Sequence, residues 1–509
     1  MRRANAVAAE YLRRVVVIAL LLALLPSVGT AVAAPAAEGV DPAAVDRYMS
    51  EYLSRTRLPG ASIAITHGDR VVYVAGYGHD SSGAAIGATS RMPIASVSKS
   101  MTALAVMQLV DAGKVRLDAP VREYLSDFLL ADSRGDRITV RELLNQTSGM
   151  SDTAFPDLRR PQADSLAGAV ERLHAAKLAA DPGTEFHYHN PNYQVAARLV
   201  EVVSGEPFAD YMRRNVFGPI GMRDSTTVNS PREAEDVTHG YIRAYGFAIP
   251  VAEPDWFVGG SHGVITTAAD LAAWLITQNN GGVAPDGHRV VSAAAVTEMH
   301  TPSGVGDDEY GMGWQREQSD QIVHYGDWFT YTAAQVLVPD TGYGIAVIAD
   351  TGLALEDDPR IIAQGLVELT RGESPDVHRP WGIYADWGIA LLTLATLALG
   401  VLCLVRSRRW ADRQTTRPSW LIALRQLPYL APIPILIALP QLAGLVFRGR
   451  APTFLQVTYV WPGLVVFLGI AALAGAGVLL ARGVRLIMLR RNRSGPDIER
   501  EAPVDRAPA

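Results

Sequence analysis

Ser96 and Lys99 stand three residues apart, where an apolar helical pattern begins (Met101, Leu104, Ala105, Leu109 and Ala112); Gly113 ends it. Spacing of three puts both side chains on one face. A hydroxyl beside an amine supplies a nucleophile and a base when burial favours the uncharged amine. The helix start adds backbone N–H groups and the positive end of a dipole. A serine there can equally be a plain cap, so other residues must decide.

Three further stretches carry chemistry. In Asp181-Pro-Gly-Thr-Glu-Phe-His-Tyr188-His-Asn190, a loop leads into a helix. Tyr188 and Asn190, two apart, can face one cleft: a tyrosine near a lysine can relay protons, and an amide can hold the lysine or a substrate. A packed tyrosine and a turn asparagine are the structural alternative. Val323-His324-Tyr325-Gly326 precedes a late hairpin, where His324 can assist protonation or hold a carboxylate, or serve as an ordinary strand residue. Asp327-Trp328-Phe329 can wall a pocket or fill a core. Gly259-Gly-Ser261-His-Gly263 matches Gly-x-Ser-x-Gly, but no strand-to-helix elbow surrounds it, so it reads as a flexible cleft loop. No metal-ligand motif is present, and no cofactor is implied.

The elements that position these residues follow from periodicity. A helix is predicted over 41–58, with Val45, Tyr48, Met49 and Tyr52 on one face. Strands 61–66 and 70–76 form a hairpin. Thr139 and Glu142 make a capping box for a short helix that runs into Asn145-Gln-Thr-Ser-Gly149. Helical patterns cover 163–179, 192–204 and 207–214. Thr267 and Asp270 read as a second capping box. Strands 333–338 and 343–349 flank a turn at 339–342, and a helix spans about 359–370. Strands at both ends of a helical middle predict one sheet closed by the two ends of the domain.

Together these motifs resemble the serine beta-lactamase and penicillin-binding superfamily, in its class C-like and D-Ala-D-Ala carboxypeptidase-like branch, over residues 40–370. Ser96-Val-Ser-Lys99 fits its nucleophile motif, Tyr188-His-Asn190 its tyrosine-x-asparagine motif and His324-Tyr-Gly326 its third motif. Leu143-Leu-Asn-Gln146-Thr-Ser-Gly149 resembles another common stretch, with Gln146 where histidine is usual. The resemblance implies an α+β fold: a mostly antiparallel sheet flanked by helices, with a helical subdomain. It implies Ser96 as nucleophile and Lys99 and Tyr188 as the proton relay. The oxyanion would be held by the Ser96 backbone N–H and one near Asp327 to Phe329. Asn190, His324, Gly326, Asp327 and Trp328 would support the site or bind substrate. Asp327-Trp328-Phe329 is bulkier than usual there.

With 509 residues, 49 % of them hydrophobic, the chain has room for one large domain plus membrane segments. The net charge of -6 does not suggest a nucleic-acid partner. A lone cysteine, Cys403, excludes an intrachain disulfide. Arg2, Arg3, Arg13 and Arg14, then apolar 15–25 and Ala31-Val-Ala-Ala34, read as a signal peptide (1–34) or an uncleaved anchor. Residues 40–372 then form an extracytoplasmic domain. Apolar stretches at 384–405, 427–447 and 454–481 are each long enough to span a bilayer, giving three transmembrane helices, the second kinked by its prolines. Arginines crowd 406–425 and the basic tail, 482–509, which places both in the cytoplasm.

The expected protein is a multi-pass serine hydrolase of a bacterial plasma membrane. It would cleave amide bonds of small peptides at the outer face through a Ser96 acyl-enzyme. The layout also resembles membrane-bound peptidases that mature non-ribosomal peptide prodrugs, which points to N-acyl-D-amino-acid or D-amino-acid substrates. A beta-lactamase, a D,D-carboxypeptidase, an esterase and a penicillin-binding sensor without turnover remain alternatives. The sensor reading is weakened by a short tail with no room for an output domain.

Overall fold

The computed structural model describes residues 39–306, 309–317, 321–352, 357–446 and 452–493. The signal-peptide stretch, Phe447 and the tail beyond Arg493 lie outside them.

Helix α1 (Pro42–Thr56) starts where Asp41 accepts a hydrogen bond from the Ala43 N–H, and it buries Val45, Tyr48, Met49 and Tyr52. Strands β1 (Gly60–His67) and β2 (Arg70–Gly78) form the expected hairpin. Four late strands complete the sheet: β5 (Gln315–Arg316), β6 (Ile322–Asp327), β7 (Thr332–Val338) and β8 (Tyr343–Ala349). The order is β2-β1-β8-β7-β6-β5. The β1–β8 pairing, from Ala61 opposite Ala349 to His67 opposite Tyr343, joins the two ends of the domain as predicted.

Side chains alternate across this sheet. Ile63, Ile65, Val336 and Val347 face α1 and α5 (Asp358–Thr370). Ala64, Ala333, Leu337 and Ile348 face the larger helical core. Covered on both faces, the central strands are apolar at nearly every position.

At the centre of the helical core lies α2 (Ser98–Asp111), with Met101, Leu104, Ala105 and Leu109 buried. Ala112 is exposed, because the helix has already ended there. Helix α3 (Asn190–Ser204) packs against it and begins two residues earlier than expected. The pattern at 163–179 yields a shorter helix, Leu166–Arg172, because the chain turns and the Ala176 carbonyl accepts instead from the Ala131 N–H. At α4 (Ala268–Asn279) the expected capping box is half formed. Thr267 Oγ1 accepts from the Asp270 N–H, but the Asp270 carboxylate accepts from the Asp224 N–H and Ser225 Oγ. Inserted before α4 is a two-stranded hairpin, β3 (Gly240–Ala244) and β4 (Phe247–Val251).

Among the described residues, two helices are long and apolar enough to cross a membrane: α6 (Trp381–Val405) and a helix over Pro462–Arg493. A third crossing is counted if Ser419–Tyr429 and the following helix α7 (Pro432–Val446), bent from each other by 41°, are one broken span. Pro428 and Pro432 stand at that bend. The expected span from 454 to 481 is corrected. A short helix α8 (Phe454–Val460) stops at Trp461, which precedes Pro462 and leaves helical geometry. Helix α9 (Pro462–Arg493) then absorbs the first part of the expected tail.

Candidate active site

Ser96 lies in a tight turn, Ala95–Val97, just before α2. Ala95 adopts φ of 45°, a left-handed conformation unusual for a residue with a side chain. The turn projects Ser96 outward: from Met92 to Ser100 it alone is not buried. Ser98 Oγ locks the turn by donating to the Ala95 carbonyl and accepting from the Val264 N–H.

Lys99 is fully buried one turn below. Its Nζ lies 3.0 Å from Ser96 Oγ, 2.9 Å from Asn190 Oδ1 and 2.9 Å from the Ser261 carbonyl. The two carbonyl-type oxygens only accept, so they take two N–H groups. The third position faces Ser96 Oγ. As an ammonium, Lys99 donates there; as an amine, it offers a lone pair to the serine proton. The Tyr188 ring centroid lies 4.9 Å from Nζ.

The loop bearing Tyr188 and Asn190 is held by Gln146. Its Oε1 accepts from the His189 N–H at 3.0 Å and Asn192 Nδ2 at 2.6 Å, and its carbonyl accepts from the His187 N–H. The glycine loop at 259–263 is buried rather than an open cleft loop. Its Ser261 and Gly260 carbonyls accept from Lys99 and Thr102. A Cβ on Gly260 would lie 2.3 Å from Ala197 Cβ, so glycine is required for close approach.

Strand β6 forms the opposite wall. A Cβ on Gly326 would lie 2.2 Å from the Ile94 carbonyl oxygen and 3.0 Å from Ser96 N. His324 is buried, with Nδ1 2.7 Å from the Tyr325 carbonyl and Nε2 3.0 Å from the Tyr310 hydroxyl. The carbonyl must accept, so Nδ1 carries the proton and Nε2 accepts from Tyr310. Burial, then the nearby Lys99 charge, push the His324 pKa down to about 3. The neutral ring brings no positive charge to a carboxylate.

Asp327 lines the cleft, which has a volume of about 200 Å³ and is also lined by Ser96, Tyr188, Asn190, Trp256, His262 and Gln315. Trp328 does not stand in that wall. It is buried behind it, and its Nε1 donates to the His262 carbonyl. The Trp328 N–H donates to the Tyr331 carbonyl and the Phe329 N–H to Glu253, so both are committed outside the cleft. Phe329 packs against Trp256, which packs against His262, both with tilted rings.

Sequence reasoning missed Tyr310, whose ring meets Tyr188 edge-on at 6.0 Å while its hydroxyl holds His324. The signal beside it was Gly311-Met-Gly313: a Cβ on Gly313 would lie 2.5 Å from Ser100 N, so this segment lies directly on α2.

The family model described as Beta-lactamase matches residues 45–366, well over half of the chain. Penicillin-binding protein 4 of Amycolatopsis lactamdurans is 31 % identical over 343 residues, covering 64 % of this chain and 89 % of that protein. Protein flp of Staphylococcus aureus strain MRSA252 is 25 % identical over 418 residues, covering 76 % of this chain and 82 % of its own. Among solved structures, the octameric penicillin-binding protein homologue from Pyrococcus abyssi aligns with a TM-score of 0.56 at 25 % identity, over 68 % of this chain and 80 % of that one. The chain belongs to the beta-lactamase family of serine hydrolases.

Proposed function

We propose that this protein is a membrane-anchored serine hydrolase that opens amide bonds through an acyl-enzyme on Ser96. The observation that carries the reading is the buried Lys99 Nζ, 3.0 Å from the half-buried Ser96 Oγ and fixed by two acceptors. Ser96 Oγ bonds to the substrate carbonyl carbon, and its proton passes to Lys99 and Tyr188. The developing oxyanion sits between the Ser96 N–H and the Asp327 N–H on β6. On collapse the C–N bond breaks, and the leaving amine takes the proton. Water then attacks the ester and regenerates Ser96. Asn190 holds the lysine, while His324 shapes the wall as a neutral ring.

The anchor gives the reading its location. Arg485 donates to Ser407 and Arg490 to the Arg417 carbonyl, so the arginine-rich connector and the end of α9 meet at one end of the helices. Arg159 and the hairpin β3–β4 contact the other end, near Pro452 and Gly463. Arginines at one end fit a cytoplasmic side, which supports an outside location for the Ser96 domain on a bacterial plasma membrane.

An N-acyl-D-amino-acid or D-amino-acid peptide is the substrate class we favour. A penicillin-binding or D,D-carboxypeptidase role is the second reading, favoured by the 31 % identical penicillin-binding relative. The test uses the full chain in bilayers. A fluorophosphonate and a penicillin probe are mapped by mass, then N-acyl-D-amino-acid amides, D-Ala-D-Ala peptides, nitrocefin and short esters are compared. The adduct is expected on Ser96 and absent in Ser96→Ala. Labelling of another residue, or none, refutes the mechanism; a stable penicillin adduct without peptide turnover selects the second reading.

A further inference from the structure

The hairpin β3–β4 carries apolar side chains that the domain leaves largely open, with only the Arg57 guanidinium over the Phe247 ring at 5.4 Å. Phe247 is 62 % exposed and Ile249 43 %. They stand two apart on one strand and so share a face. An apolar face in water is unfavourable and marks an interaction surface.

The location of the hairpin says what covers this face. Its turn, Tyr245-Gly246, has φ of 54° and 77°, as a tight two-residue hairpin demands. The turn is clamped against the first two turns of α6. The Gly246 N–H donates to Asp386 Oδ2 at 3.1 Å, and a Cβ on Gly246 would lie 2.6 Å from Trp387 Nε1. Tyr245 OH donates to the Gly463 carbonyl at the start of α9. Beside it, Trp381 and Tyr384 of α6 are 58 % and 55 % exposed. Tryptophan and tyrosine at the end of an apolar span are the side chains that settle among lipid headgroups. Phe247 directly follows the clamped Gly246, and Trp387 beneath it meets Tyr384 edge-on, so β4 begins beside this aromatic rim.

We propose that the β3–β4 hairpin is a membrane foot, whose Phe247 and Ile249 rest in the headgroup region of the bilayer that α6 and α9 cross. The proposal rests on the membrane-anchored reading above. The foot is stiff. The Tyr241 N–H donates to the Asp350 carbonyl, the Gly352 N–H to the Tyr241 carbonyl, and Arg243 pairs with the buried Asp358. Just past β4, Glu253 accepts from the Phe329 N–H and Thr330 Oγ1, next to the cleft wall. The catalytic domain is thereby held at a fixed height, with its cleft close to the lipid surface, and does not swing on a tether.

The test uses the full chain carrying Cys403→Ser, since Cys403 is its sole cysteine. Single cysteines replace Ile249, Leu394 in the middle of α6, and Asp69 in the β1–β2 turn at the far end of β1. Each is spin-labelled in phosphatidylcholine–phosphatidylglycerol vesicles, and collisions with oxygen and with a water-soluble nickel chelate are compared. The label at 249 is expected to favour oxygen over nickel at least threefold relative to the label at 69, as at 394. Nickel access at 249 equal to that at 69, with 394 protected, overturns the foot alone. Nickel access at 394 overturns the membrane reading and the foot with it. Dipolar broadening between labels at 249 identifies a second copy as the cover and overturns the lipid assignment. Phe247→Cys repeats the measurement if the 249 variant does not fold.

Discussion

Gly326→Ala isolates the contribution of β6 to the oxyanion site. The added methyl would lie 2.2 Å from the Ile94 carbonyl oxygen, where carbon and oxygen normally approach to about 3.3 Å. Both partners are backbone, so no side chain can swing aside; β6 or the Ser96 turn must retreat by about 1 Å. The turn is locked by Ser98 and the strand by its pairing with β7, so the strain is shared by the two donors of the oxyanion hole. Overpacking of this kind costs about 1–3 kcal/mol of stability. Loss of one aligned donor costs about 10²- to 10³-fold in kcat, or about 2.7–4 kcal/mol of barrier. The expected variant therefore folds with a lowered melting temperature and turns over at least about a hundredfold more slowly. Its fluorophosphonate reaction at Ser96 slows in parallel. The assay pairs steady-state turnover of the best substrate with phosphonylation rate and melting temperature in one membrane mimetic. A kcat within threefold of the parent, at an unchanged melting temperature, would refute the placement of the oxyanion between Ser96 and β6.

Gln146→Ala removes the acceptor for the His189 N–H and Asn192 Nδ2, leaving two buried donors unpaired at about 1–3 kcal/mol each. Turnover should fall at least tenfold as the Tyr188 loop loosens, and unaltered kcat with unaltered melting would count against that role. Burial pushes His324 and His300 down to about 3, below the ordinary value of 6.5. Below pH 6.5 the unfolded chain gains protons that the folded chain refuses, so this stability is complete above 6.5 and is lost progressively toward pH 3. The loss reaches about 1.4 kcal/mol per pH unit per histidine. The melting temperature should drop between pH 7 and 5, and more gently in the His300→Gln/His324→Gln double variant; parallel curves would contradict the assignment. Arg243→Met strands the Asp358 carboxylate, which is buried beside the Tyr52 hydroxyl. A loss of about 3–5 kcal/mol is expected from denaturant unfolding.

Local order was legible in the sequence. The short apolar runs of β1, β7 and β8 between turn residues, the cap at Thr139 and the apolar spacing of α2 are each set by short-range physics. The pairing of Ser96, Lys99 and Asn190 was legible because spacing and motif order carry it. The partners that hold them were not. Gln146 and Tyr310 act across 43 and 14 residues, through hydrogen bonds that no periodicity announces. Gly260 reads as freedom and Gly326 as a motif residue, yet both mark places where backbone must touch backbone or a neighbouring side chain. Trp328 stays open in the sequence for a related reason: its type suits a pocket wall and a core equally, and the His262 carbonyl that claims its N–H lies 66 residues away.

The burial of Lys99 follows from the same geometry. An amine withdrawn from water needs acceptors brought to it, and the helix that carries Lys99 cannot supply them, since its own carbonyls are engaged in the helical ladder. Two separate segments do so: the start of α3 presents Asn190, and the glycine loop turns the Ser261 carbonyl inward. Each is itself held by an outside hand, Gln146 behind the first and Thr102 under the second. Any one segment alone would leave the lysine unsatisfied and mobile. The site therefore exists only when the helical middle has packed against α2, and the closure of β1 on β8 brings β6 to it as the last wall. On this argument Ser96 reactivity reports the global fold: phosphonylation and the cooperative unfolding of the catalytic domain should be lost together along a denaturant titration, and a reactive Ser96 in a chain that has lost the β1–β8 pairing would contradict it.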